Sequence, residues 1–212
     1  MNVFSSHVHS PFTRGVYGVG VKTFLIALLV PGLVHGAFAA TQALQIDRTQ
    51  SQIEVAVKAT MDSFIAELEV FEPEIVFDPN TQQFERVEIT FAFADLHTGK
   101  KDRDRQMNEW QQTPEFPQAR FELVRLDPTE NGRRLAHGTL HLHGVSLPMT
   151  FPVVLRFDGA RLSIDGEAPL DTRDLGLPVI RKFKILKVDP HVTVRFHVQG
   201  MLAATAPAVA VK

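Results

Sequence analysis

The sequence predicts an all-β fold, an antiparallel up-and-down barrel of about eight strands with a short helix and a long loop near one mouth. Three observations carry this. Apolar and polar residues alternate in one segment after another, turn residues separate the segments, and the apolar positions are rich in phenylalanine. One apolar face per strand suits a sandwich as well as a barrel. Twelve of the 16 phenylalanines lie beyond residue 40, most on the inward parity, beside a single tryptophan and no tyrosine. That composition favours a barrel with an apolar lining and few polar handles. A barrel of about eight strands either fills with side chains or encloses one small ligand, so a solid core is the competing arrangement.

The strands follow in order. Ile53, Val55 and Val57 share a face, with Gln52, Glu54 and Lys58 opposite; Phe64, Ala66, Leu68 and Val70 alternate with Ile65, Glu67 and Glu69. Val87, Ile89, Phe91 and Phe93 oppose Arg86, Glu88 and Thr90, and Phe121 and Leu123 oppose Arg120 and Glu122. Leu135 to Val145 reads as one strand, Phe151, Val153, Leu155 and Phe157 belong to the next, and Arg161 to Gly166 to another. Val192, Val194, Phe196 and Val198 complete the set against His191, Thr193, Arg195 and His197. Turn signals at Asp78-Pro79-Asn80, Asp127 to Gly132 and Asp158-Gly159 make successive strands hairpin partners. Between strands, Thr98 to Gln112 reads as a short helix whose alternating charges face water while Met107 and Trp110, three apart, form its buried side. Pro169 to Val179 reads as a long loop able to cover a barrel mouth, ahead of the basic run Arg181-Lys182-Phe183-Lys184.

The first 40 residues have the profile of a secretory leader: Arg14 and Lys22 without any acid, the apolar run Phe24 to Val30, and small residues at Ala37 and Ala39. Pro31, Gly32, His35 and Gly36 interrupt that run, which is shorter than the ~20 residues of a membrane span. Cleavage near Ala39 or Ala40 and a periplasmic product are expected. The remainder, 41–202, is one domain, followed by a loose Ala, Pro and Val tail at 203–212. All 24 acidic residues and all but two of the 22 basic ones lie beyond the leader, so the exported part is net negative and a poor nucleic-acid partner. The absence of cysteine removes disulfides, thiolate metal sites, cysteine nucleophiles and a lipoprotein anchor together.

Catalysis finds little support. His137, His141 and His143 share the polar parity of one strand, and a histidine pair two apart, about 7 Å between Cα atoms, can bind zinc. A metal-dependent hydrolase on that strand is therefore an alternative, but solvated histidines suit the alternation better. No Gly-x-Ser-x-Gly elbow is present. The expectation is a binding protein with no catalytic residue, metal or cofactor; a solid-core interaction module is the third reading.

Five blocks, in order, resemble the YceI-like family of periplasmic, lipocalin-like polyisoprenoid-binding proteins. They are Ile46-Asp47 with Ser51 and Ile53; Thr98-Gly99 with Arg103-Asp104; Phe116-Pro117 with Phe121; Gly138 to Val145 with Pro148; and Asp171 to Leu177. The chain departs from the family's pattern at Gln50, Ala59, Ala66 and Leu175, which puts the family's head-group preference in doubt here. The resemblance implies a periplasmic carrier or sequestering protein for a long-chain isoprenoid lipid of quinone or polyprenol type. Transient contact with membrane donors or acceptors, and a homodimer, are left open.

The apolar parity selects Ile53, Val55, Val57, Ile89, Phe91, Phe93, Phe121, Phe151, Val153, Val194 and Phe196 as the cavity lining. Arg103, Asp104, Trp110, Arg173 and Asp174 are expected to frame the entrance, the four charged residues pairing to fix the loops. The leader generates the first prediction: mass analysis of the mature chain should place its N-terminus between Thr41 and Leu44, and an intact Met1 would contradict export by this leader.

Overall fold

The computed structural model describes residues 41–60, 62–129, 132–182 and 186–204. The expected leader, residues 205–212 of the expected tail, and Phe183-Lys184 of the basic run lie outside the described residues.

The alternating segments form β1 (Gln42–Ile46), β2 (Gln52–Ala59), β3 (Phe64–Leu68), β4 (Glu72–Asp78), β5 (Gln83–Ala92) and β6 (Leu96–His97). After α1 (Lys101–Gln111) come β7 (Gln118–Pro128), β8 (Arg134–Leu142), β9 (Val145–Asp158), β10 (Arg161–Asp171), the short β11 (Arg181–Lys182) and β12 (Leu186–Ala204). Several early strands are halves of one wall strand. β1 and β2 both lie against β12, β3 pairs with β2 while β4 pairs with β1, and β5 and β6 continue the pattern on β4 and β3. Counted so, the described residues build a closed antiparallel barrel of eight wall strands in sequence order.

The break between β1 and β2 has a local cause. The Asp47 carboxylate accepts hydrogen bonds from the Thr49 amide (3.0 Å) and hydroxyl (2.6 Å), an Asx-type turn that offers the backbone an alternative to the ladder. The Ser51 hydroxyl then rejoins β12, accepting from the Gln199 amide at 3.0 Å.

The strand directions put α1, the end of β2, the start of β3, the turn at 143–144 and the segment after β10 at one end of the barrel. The turns at 79–82 and 159–160, the end of β7 and the start of β8 lie at the other. That second end is plugged. Leu44, Ile75, Leu162 and Val198 are buried together there, backed by Ile46, Phe84 and Leu202, and Phe77 packs at a tilt against Phe84 and Phe157 with centroids 5.2 and 5.3 Å apart.

The outer wall carries ladders of opposite charge. Arg86 meets Glu74 and Glu88 at 3.0 Å, Arg125 meets Asp127 at 3.1 Å, and His197 meets Asp165 at 2.7 Å. A membrane-spanning barrel has the reverse polarity, with an apolar band outside.

Four boundaries differ from the alternation alone. Leu135 to Val145 is not one strand: it turns at His143 (φ 53°) and Gly144 (φ 72°), the two left-handed positions of a type I′ hairpin. Pro169 to Asp171 continues β10 rather than opening a loop, because each pairs with β12. β12 runs through Ala203 and Ala204, which pair with Ala43 and Gln42, so the tail cannot begin at 203. Val70 lies beyond the end of β3 and is half exposed, off the inward face that simple alternation assigns it.

Leu162 is fully buried in the plugged end. Leu162→Ala should lower unfolding stability by about 2–5 kcal/mol, read as a shift in the urea midpoint at constant slope.

Candidate functional site: the barrel cavity

The interior is not filled. It encloses a cavity of about 1440 Å³, larger than the roughly 300–1,000 Å³ of common ligand pockets. All eleven residues selected by parity, Ile53, Val55, Val57, Ile89, Phe91, Phe93, Phe121, Phe151, Val153, Val194 and Phe196, stand in its wall. Leu68, Leu96, Leu140 and Leu142 share the lining, as do Met107 and Trp110 from α1 and Leu175 and Leu177 from the segment after β10. The polar and charged groups of the lining concentrate at the end that carries α1: Asp62, Lys100, Lys101, Asp102, Arg103, Gln106, Glu109, Arg181 and Asp189. The cavity is thus an apolar chamber with a charged rim.

The cover over that end is α1 plus the segment from Thr172 to Arg181, and polar bonds hold both. At the start of α1, the Asp104 carboxylate accepts from the Thr98 amide at 2.8 Å and the Thr98 hydroxyl at 2.6 Å. Burial opposes ionisation of Asp104, but those two bonds prevail and its pKa lies below the ordinary value. At the end of α1, Gln112 turns left-handed (φ 58°) and Gln111 is wholly buried, its amide donating to the Phe116 carbonyl at 3.2 Å. The Trp110 indole N–H donates to the Pro178 carbonyl at 2.8 Å, tying the helix to the second half of the cover. On the other side, Arg103 donates to Asp62 at 2.6 Å and lays its guanidinium 4.1 Å from the Phe64 ring centroid.

The 3₁₀ turn Thr172–Leu175 follows β10 directly, and the Asp171 carboxylate accepts from the Arg173 amide at 3.0 Å and from its Nε at 2.9 Å. The Arg173 guanidinium lowers the Asp171 pKa to about 2. Leu175 and Leu177 point down into the barrel and are buried.

The charged pairing therefore differs from the sequence expectation. Arg103 pairs with Asp62 rather than Asp104, and Arg173 pairs with Asp171 rather than Asp174. The reason is reach: consecutive residues of a helix or a 3₁₀ turn point apart, while Asp62 comes in from just before β3 and Asp171 from the end of β10. Arg103 and Trp110 stand at the rim, whereas Asp104, Arg173 and Asp174 lie off the cavity lining.

The three histidines part company. His137 meets Asp127 at 3.0 Å and His141 meets Glu122 at 3.5 Å, both on the outer wall against β7. His143, in the hairpin turn, donates from Nδ1 to the Leu175 carbonyl at 3.0 Å, places Nε2 3.2 Å from the Gln112 side-chain amide, and stacks on Phe116 at 4.5 Å. Those three do not converge on a shared point, which removes the geometry that the hydrolase reading needs. His143 is instead a positioning residue that joins both halves of the cover to the wall. The signal for it was the His-Gly pair, which marks a turn rather than a strand interior.

A YceI-like domain profile matches residues 44–200. The chain belongs to the YceI-like family. Solved structures agree on the fold: Burkholderia cenocepacia BcnA is 21% identical with a TM-score of 0.65, covering 74% of this chain and all of its own. A polyisoprenoid binding domain from Saccharophagus degradans, implicated in plant cell wall breakdown, is 16% identical with a TM-score of 0.58, covering 78% of this chain and 99% of its own. A Campylobacter jejuni YCEI protein is 14% identical with a TM-score of 0.55, covering 66% and 84% respectively. No curated protein matches the chain. At these identities the likeness shows the shared barrel, and this YceI-like barrel's own cavity must carry any statement about its ligand.

The depressed Asp171 carboxyl generates a titration prediction. A carboxylate whose folded pKa is lowered supports the fold above the ordinary value of 3.8 and loses that support as pH falls through about 2. Carbon-detected NMR should find Asp171 titrating near 2, and Arg173→Ala should move the midpoint back toward 3.8. A midpoint unaltered by Arg173→Ala would show that the Arg173 backbone amide and His191, 3.3 Å away, hold the carboxylate without the guanidinium.

Proposed function

We propose that this YceI-like protein is exported to the periplasm and there holds an apolar isoprenoid lipid, of quinone or polyprenol type, inside its barrel as a carrier or sequestering protein. The observation that carries the reading is the apolar chamber of about 1440 Å³ opening under a polar-bonded cover. The name of the Saccharophagus degradans relative, a polyisoprenoid binding domain, supports the same ligand class.

The energetics suffice without a cofactor. Each buried CH₂ contributes about 0.8 kcal/mol, so roughly ten of them reach about −8 kcal/mol, near micromolar, before ordering costs are subtracted. The space matches. At about 30 Å³ per water-sized unit of liquid, the chamber takes a ligand of several tens of non-hydrogen atoms. Binding rather than catalysis is supported by the placement of titratable groups, which lie on the outer wall, in the cover or at the rim while the deeper chamber wall is aliphatic and aromatic. Arg103 and Trp110 would meet the ligand's polar end at the rim.

Native mass spectrometry of protein isolated from periplasm should show one co-purifying lipid per chain; bound zinc, or protein with no lipid, would overturn the reading. Phe91→Asp places a charge in the apolar wall and should abolish lipid uptake in a folded protein, because an unpaired buried carboxylate is strongly disfavoured. Unchanged loading of that variant would place the lipid outside the barrel. Arg173→Ala loosens the cover without touching the chamber, so it should speed lipid exchange, measured by transfer to acceptor vesicles, while leaving the thermal midpoint nearly unaltered.

A further inference from the structure

Two inward glycines account for part of the chamber's width. Gly138 lies on β8 and Gly166 on β10, each on the inward parity of its strand. Neither has a left-handed φ, so backbone conformation does not require glycine at either position. Glycine inside a strand weakens it, and its presence commonly marks close approach of another group. Here that group is a phenyl ring. Gly166 is the cross-strand partner of Phe196 on β12, and a Cβ built at Gly166 would stand 2.9 Å from Cε1 and 3.1 Å from Cε2 of that ring, with Cζ nearer still. Gly138 receives Phe121 in the same way, at 2.6 Å from Cε2. Phe151 on β9 lies between, 5.6 Å from Phe121 and 5.9 Å from Phe196 by centroids. Three rings therefore pave one side of the chamber, carried on β7, β9 and β12, with glycines on the two intervening strands.

A ring laid against the wall over a glycine occupies space that a side chain on the intervening strand would otherwise take. Displaced from that seat, the same ring has one place to go, the lumen. We propose that Gly166, acting through Phe196, is a specificity-determining position: it keeps the lumen wide enough for a methyl-branched isoprenoid chain, which a straight acyl chain of equal length does not require. This rests on the lipid-binding reading and names the feature of the lipid that the wall selects. Gly166 is a positioning residue, since the ligand meets the ring and not the glycine.

Gly166→Ala is the informative variant, because the three atoms nearest its methyl belong to the Phe196 ring, which can swing inward while the backbone stays in place. Gly138→Ala is not equivalent: its methyl would also meet the Glu122 carbonyl oxygen at 2.6 Å and push on the sheet itself. Binding of a long-chain polyprenol and of a straight-chain fatty alcohol with the same carbon number should be measured side by side on the purified full-length barrel. Gly166→Ala should weaken polyprenol binding by about tenfold or more, the scale at which a tight pocket resists added methyl groups, while fatty-alcohol binding changes by less than about threefold. Adding Phe196→Leu to Gly166→Ala removes the displaced ring and should restore polyprenol binding. A merely structural role would weaken both ligands together and show no such rescue, and either result overturns the proposal. If Gly166→Ala fails to fold, Phe196→Trp with Gly166 intact supplies the same narrowing from the other partner, and equal effects on both ligands would again overturn it. Wild-type protein that takes up neither ligand would overturn the lipid-binding reading itself, and the role of Gly166 with it.

Discussion

Closure of the sheet by β12 is the constraint on which the rest depends. That strand gives one side to β10 over eleven residue pairs and the other to β1 and β2 in succession. Closure gives most wall strands a partner on both sides; β10 meets β9 from Arg161 to Gly166, and its last five residues continue along β12. Closure also sends every inward side chain into one shared space. The period-two alternation then becomes a statement about volume: whether a lumen exists depends on the sizes of the residues on one parity.

Those sizes are uneven along the axis. At the plugged end Leu44, Ile75, Leu162 and Val198 are buried together as a floor, and Phe77 packs at a tilt against Phe84 and the half-exposed Phe157. Higher up, alanines at 66, 119, 136 and 168 take inward positions and are almost fully covered by their neighbours, so the wall there is thin. The same strands thus build a floor at one end and a chamber above it.

Much of this was legible in the sequence. The inward parity was read correctly for Ile53, Ile89, Phe121 and Phe196 because a strand has only two faces and one of them is charged. Met107 was read from its helical spacing to Trp110, but Leu175 was less accessible, since neither period speaks of a 3₁₀ turn that folds back over a mouth. Partner choice was illegible for the charged residues. Arg103 finds Asp62 across 41 residues, and Arg173 finds Asp171 at the end of β10; neither choice follows from a run of alternating charge. His143 was misplaced for a different reason. A histidine at left-handed φ is tolerated by the hairpin only because Gly144 follows it, and period-two counting passes through such a turn without a break.

The two ends of the barrel are held by different physics, and that difference decides which end would open to a ligand. Opening the plugged end would expose a packed aromatic and aliphatic cluster to water, a cost proportional to the apolar area uncovered. Opening the other end asks for less. Trp110 would release one carbonyl, Arg103 one carboxylate, and His143 one more carbonyl, all close enough to solvent for water to take over the lost hydrogen bonds. Hydrogen bonds exchanged with water are nearly balanced, so the cover can part without unfolding the wall. The apolar cost falls on Leu175 and Leu177, and a bound chain beneath them reduces it by remaining in contact.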